Sequence, residues 1–239
     1  YSIVSAGVKG TSTQLKTLEI ANSAALAGLV DTDTAAKALV SSMNAYARSG
    51  LTATEASDAL FVAVREGQTT FGELAANIGT VAPVAASAGL AYSELIGAIS
   101  GVTKAGIRTD IATTGIRSLL SSMIKVTPQA AKEAERLGLE FGTSAVKGGK
   151  FVEFLRKLKT ATKGNEVALG KLFPNVRALG PVLQVVNGDF DDFKRILTET
   201  KEALGSTTKA AEIMRENLDF EMKKNTANFA LLRQALAEL

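Results

Sequence analysis

Apolar positions recur at three- and four-residue spacing, the period of a helix with one buried face. Phe151, Phe154, Leu155 and Leu158 make one such face, with Lys and Arg between them. A short glycine-led pattern interrupts these stretches. Gly28-Leu29 leads into Asp31, Thr32 and Asp33, Gly50-Leu51 into Thr52 and Glu55, and Gly89-Leu90 into Ser93 and Glu94. Gly106-Ile107 and Gly138-Leu139 are weaker copies. A glycine just past a helix end takes the left-handed conformation without a Cβ penalty, and the next apolar residue packs back on the last turn. Thr or Ser then caps the following helix, with an acidic residue in its first turn. The pattern reads as helix stop, turn, helix start. Its copies are irregularly spaced, so it is not a strict solenoid repeat.

The resulting map is all helical, a multi-helix bundle of short helices joined by Gly turns. It predicts helices near 12–28, 33–48, 54–66, 71–88 (bent by Pro83), 93–105 and 110–125. Further helices follow near 128–137, 150–162, 165–172, 175–186, 190–204 and 207–239. Thr127-Pro128 is a cap followed by proline at the first helical position. Phe173-Pro174-Asn175 and Asn187-Gly188-Asp189 are breaks. Residues 139–149, with Gly142, Gly148 and Gly149, are expected to be a mobile loop. It would separate an N-terminal bundle over 1–138 from a second helical part over 150–205, with a long helix over 206–239.

Two stretches stand apart in their patterning. From Leu74 to Ser93 no residue is charged, and twenty residues are enough to span a bilayer. The run is mostly Ala, Gly, Ser and Thr, which insert weakly. It reads as two short helices packed through small residues. The alternative is a segment that enters a membrane in a triggered state, carried by Ala82, Pro83, Val84, Leu90, Leu95, Ile96 and Ile99. In the last helix, Met222, Phe229 and Leu236 are seven apart, with Asn225, Leu232 and Leu239 each three residues further on. That is an a/d seam with one polar d position. Met214, Leu218 and Met222, spaced by four, suggest a stutter ahead of it. The candidate oligomerisation seam is therefore Leu218, Met222, Asn225, Phe229, Leu232 and Leu236, and the other reading is an amphipathic helix lying on the bundle.

Composition adds mostly exclusions. Alanine is about one residue in six and aromatics are 5%, with no Trp. That favours helix over strand. There is no Cys and no His, which removes disulfides, thiolate nucleophiles, Cys/His zinc sites and histidine-based triads. Twenty-seven basic and 24 acidic residues leave a net charge of +3, too balanced to indicate nucleic acid. The chain begins at Tyr1, so it is expected to be a processed product, a fragment or the ordered part of something longer.

Chemistry-bearing motifs are sparse. Gly149-Lys150 and Gly170-Lys171 lack the remaining P-loop residues, and no Gly-x-Ser-x-Gly is present. Ser122 and Lys125 match Ser-x-x-Lys, but a lysine at a helix end is also expected from dipole complementarity. Asp189, Asp191 and Asp192 would either hold a hard cation or stabilise a helix N-terminus. From Glu140 to Gly180 there are eight Lys or Arg against three Glu, either a solvated helix face or a contact for DNA phosphates. No catalytic, metal or cofactor-binding residue is assigned, and no cofactor is expected.

Four pieces of sequence occur together in order. They are 39–46 (Leu-Val-Ser-Ser-Met-Asn-Ala-Tyr), then 58–61 (Asp-Ala-Leu-Phe) with 67–74 (Gly-Gln-Thr-Thr-Phe-Gly-Glu-Leu). Next come 101–106 (Gly-Val-Thr-Lys-Ala-Gly) with 115–123 (Gly-Ile-Arg-Ser-Leu-Leu-Ser-Ser-Met), and last 171–179 (Lys-Leu-Phe-Pro-Asn-Val-Arg-Ala-Leu). The set resembles the core region of phage tail tape-measure proteins over roughly residues 20–220. The resemblance implies a long, mostly helical, oligomeric structural protein of the virion, made in the bacterial cytoplasm and housed in the tail lumen or tail tip. Such a protein sets tail length during assembly and leaves the tube ahead of DNA. It implies no enzymatic role for this region. The partners it implies are further copies of the chain, as a trimer, and tail tube, distal tail and baseplate hub proteins. Tail assembly chaperones also belong to that set, as do the host membrane at ejection and non-specific contact with DNA. The alternative function is a membrane-active helical protein that forms a channel for DNA from the 74–105 region.

Overall fold

The computed structural model describes residues 2–5, 7–8 and 10–237, and side chains through Met222 except those of residues 2, 5, 186 and 220. Among the described residues every regular element is helical. In chain order they are α1 (Ser2–Ser5), α2 (Thr11–Gly28), α3 (Thr32–Ala45), α4 (Ala53–Glu66), α5 (Phe71–Ala88), α6 (Tyr92–Lys104) and α7 (Thr109–Ile124). They continue with α8 (Pro128–Arg136), α9 (Phe151–Thr162), α10 (Glu166–Leu172), α11 (Val176–Asn187), α12 (Phe190–Lys201) and α13 (Ser206–Ala237). Single 3-10 turns lie at Ala47–Ser49 and Thr143–Ala145.

Local chemistry places the helix starts. Thr52 and Glu55 form a reciprocal capping box at α4, and Thr70 and Glu73 form one at α5. Thr127 caps α8 ahead of Pro128, and Asn165 and Asn175 cap α10 and α11. Gly50, Gly89 and Gly138 follow helix ends at positive φ, as the glycine pattern predicts.

The first copy of the pattern departs from that rule. There Leu29, not Gly28, takes the left-handed conformation, at φ 53°, and Asp31 rather than Thr32 caps the next helix. Gly28 stays helical because Phe71 of α5 packs on it, and a Cβ at that point would lie 2.7 Å from the Phe71 ring. In the third copy Ser93 does not cap α6. The helix begins at Tyr92, and Glu94 accepts from the Ala91 N–H. In the fourth, the Thr109 hydroxyl donates to Glu73 and is hydrogen-bonded with that of Thr69 instead of capping α7.

Tertiary packing is built on small residues. α5 lies between α3 and α7, α6 packs against α4 and α12, and α7 packs against α11. Glycines inside α6 and α7 serve as notches. A Cβ at Gly101 would lie 2.4 Å from the Phe193 ring of α12, and one at Gly97 would touch the Leu197 backbone at 3.0 Å. Gly115 of α7 receives Pro181 of α11 in the same way. Closely approaching backbones gain dispersion contacts that a larger side chain would hold apart. The hydrophobic core runs continuously from the N-terminal helices through Leu169 and Val182 to Leu197. The 139–149 segment is tied into that core rather than free of it. It contains a 3-10 turn, and Leu139, Ala145 and Val146 are buried.

Candidate functional site

The chemistry-bearing candidates are absorbed into local structure. Asp189 accepts from the N–H groups of Asp191 and Asp192 and so caps α12, while Asp192 pairs with Lys104 and Arg195. The Ser122 hydroxyl donates to the Ser118 carbonyl of its own helix. The basic stretch shows one apolar face, with Phe151, Phe154, Leu155 and Leu158 buried, and its cations lie outside. Lys159 donates to the Gly188 carbonyl, and Arg156 pairs with Glu153. No group of three or more potential metal ligands occurs among the described residues.

The residues of the uncharged stretch sit inside the bundle. Ala82, Leu90, Leu95, Ile96 and Ile99 are buried in the core, Val84 is half-buried and Pro83 is exposed. Withdrawing Leu90, Leu95, Ile96 and Ile99 would forgo about 1.5–3 kcal/mol each of apolar burial. No helix among the described residues is long and apolar enough to cross a membrane.

Around that core lies a polar cluster with no sequence motif to mark it. Tyr46 and Tyr92 meet edge to face with ring centroids 5.3 Å apart. The Tyr92 hydroxyl is hydrogen-bonded to Ser42 Oγ at 3.0 Å, whereas the buried Tyr46 hydroxyl has no partner among the described residues. Burial pushes both phenols up from their ordinary values. Glu94 is also buried, and it accepts from the N–H groups of Ala91 and Phe151, the starts of α6 and α9. Burial raises its carboxyl above the usual range, and those two bonds and the charge of Lys201 oppose the rise. One carboxylate thus joins two helix N-termini, where dipoles favour a negative charge.

The base of α13 is fixed in a similar way. Asp58 of α4, fully buried, accepts from the N–H groups of Gly205 and Thr207 at 2.7 and 2.8 Å. Ser57 donates to the Thr207 hydroxyl beside it. A residue some 150 positions away therefore caps the longest helix. Beyond Ala211 the described side chains of α13 face solvent, Met214 excepted as half-buried. Leu218 and Met222 of the candidate seam are 52% and 67% exposed. Asn225, Phe229, Leu232 and Leu236 lie outside the residues whose side chains are described. α13 also packs along α2, where Leu15 and Leu18 are exposed.

Taken together, the features define an all-α protein whose polar groups serve helix capping and packing, with a long helix anchored at its base. A family model described as phage-related minor tail protein matches residues 1–173, and the chain belongs to that family. It is 25% identical over 216 residues to a tape measure protein of Pneumococcus phage Dp-1, a match covering 87% of this chain and 19% of that protein. The chain therefore spans about a fifth of that relative's length. No solved structure matches it.

Proposed function

We propose that the chain is a segment of a phage tail tape-measure protein that sets tail length during assembly and leaves the tube ahead of DNA. The observation that carries this reading is the match to a tape measure protein along 87% of the chain. The form of α13 supports it. Thirty-two residues run as one helix, about 48 Å long at ~1.5 Å per residue. Chain length in such an element converts directly into distance along a tube.

In this reading the molecule lies in the tail lumen or at the tail tip. It self-associates as a trimer through α13, where Leu218 and Met222 begin the seam. Tube, distal tail and baseplate hub proteins contact it in the tail, and assembly chaperones contact it before. It has no catalytic role.

Tail length is the test. About 21 residues, three heptads, are deleted in frame from the C-terminal helix in the parent gene, and particles are imaged. Tails shorter by ~30 Å are expected. Tails of normal length would overturn the ruler role for this helix and make it a folded anchor.

A further inference from the structure

An open groove of about 1430 Å³ lies between the end of α3, the α5–α6 turn, the 147–149 segment and the corner between α12 and α13. Small-molecule pockets measure ~300–1,000 Å³, so the groove has the size for a stretch of polypeptide.

Its lining carries three cations against two carboxylates. Two carboxylates reach the lining, Glu55 and Asp58, and both are committed to helix caps. Arg48, Lys147 and Lys201 stand exposed around it, and none of them makes an ion pair among the described residues. Lys201 also acts at longer range on Glu94, which is buried beneath. Lys147 is held in place by its stem, which lies across Gly89. A Cβ there would meet Lys147 Cγ at 2.9 Å, and Gly89 is already required by its φ of +79°. Between the cations the wall is apolar, with Leu51 half-buried and Leu204 79% exposed.

A single-stranded nucleic acid would need a continuous basic track and exposed aromatic faces for stacking. Tyr46 and Tyr92 form the floor but are buried. Three separated cations on an apolar wall complement a peptide that carries both carboxylates and aliphatic side chains.

We propose that this groove docks an acidic peptide segment of a protein partner, with its carboxylates on Arg48, Lys147 and Lys201 and its aliphatic side chains on Leu51 and Leu204. The occupant would sit against the corner from which α13 departs. The proposal does not depend on whether α13 acts as a ruler, which tail length decides separately.

The probe is a short fluorescein-labelled peptide alternating Glu and Leu, titrated with the 239-residue chain at low salt and read by anisotropy. Its comparators are the same peptide with Lys for Glu, and labelled oligo-dT. Saturable binding of the acidic peptide, at least about tenfold tighter than either comparator, is expected. The double variant Lys147→Glu with Lys201→Glu should weaken it about tenfold. Lys125→Glu with Lys132→Glu makes the same net charge change away from the groove and should leave it unaltered. All four lysines are exposed, so circular dichroism should report an unchanged fold. Absence of saturable binding, equal binding of both peptides, or equal loss in the two double variants would each overturn the proposal. Tighter binding of oligo-dT would overturn it in favour of nucleic acid.

Discussion

Gly115 offers a direct test of the packing scheme, because alanine there should be harmful in a helix that would otherwise welcome it. A Cβ built on Gly115 falls 2.3 Å from Pro181 Cγ, 2.8 Å from Pro181 Cδ and 2.7 Å from the Arg177 carbonyl oxygen. None of these atoms belongs to a flexible side chain, since the proline ring is tied to the backbone and the oxygen is part of it. Relief requires α11 to move away from α7. Overpacking of this kind costs about 1–3 kcal/mol, and a clash with backbone belongs at the upper end. Against it stands the gain of about 0.5–1 kcal/mol for alanine over glycine inside a helix. The net expectation for Gly115→Ala is a loss of about 2 kcal/mol.

Two controls carry the same chemistry without the clash. Gly79→Ala, in α5, meets nothing closer than Ser41 Oγ at 3.8 Å, and Gly170→Ala, in α10, meets nothing within 4 Å. Both should be neutral or stabilising by up to about 1 kcal/mol. Thermal unfolding followed by circular dichroism reads all three. For a chain of this size a 1 kcal/mol change moves the melting temperature by about 2–4 °C, so opposite shifts are measurable. If Gly115→Ala stabilises the protein as Gly79→Ala does, then α7 and α11 do not approach closely enough for Gly115 to serve as a notch.

Other positions yield sharp expectations. Asp58→Ala leaves the N–H groups of Gly205 and Thr207 without their acceptor, which should cost about 1–3 kcal/mol. Hydrogen exchange over 205–210 should accelerate before the rest of α13, and uniform protection there would refute the Asp58 cap. Tyr46→Phe removes a buried hydroxyl that has no partner among the described residues and should raise stability by about 1 kcal/mol, visible as a higher melting temperature. Glu94 carries a pH dependence. Its folded pKa is raised, so the folded state holds the proton more tightly than the unfolded one. Its contribution is fully present below the ordinary glutamate value of about 4.3 and is lost as pH rises through the raised value. The stability of the wild type relative to Glu94→Gln should therefore decline across that window and level off above it. A difference that stays flat with pH would show that Glu94 titrates normally.

The sequence carried the element map because helix starts and stops are short-range events. Thr52 with Glu55 and Thr127 with Pro128 act within one turn, so their spacing alone located α4 and α8. The ordered pieces from Leu39 to Leu179 likewise carried the family. What the sequence could not reveal was the partner of each residue. Gly28 and Leu29 exchanged roles because Phe71, more than forty positions away, needed the space over Gly28. The glycines of α6 and α7 gave no sign of which side chain would fill them, since Phe193, Leu197 and Pro181 arrive from helices far along the chain. Asp58, within a helix, showed no trace of capping α13, because that cap forms only when α4 and the α12–α13 corner meet. The groove followed the same rule. Arg48, Lys147 and Lys201 are scattered cations in a nearly balanced composition, and only folding gathered them while binding their neighbouring carboxylates into caps. Local hydrogen bonding is written in adjacent residues. Close approach, burial and the pairing of charges depend on distances that exist only after the helices have packed.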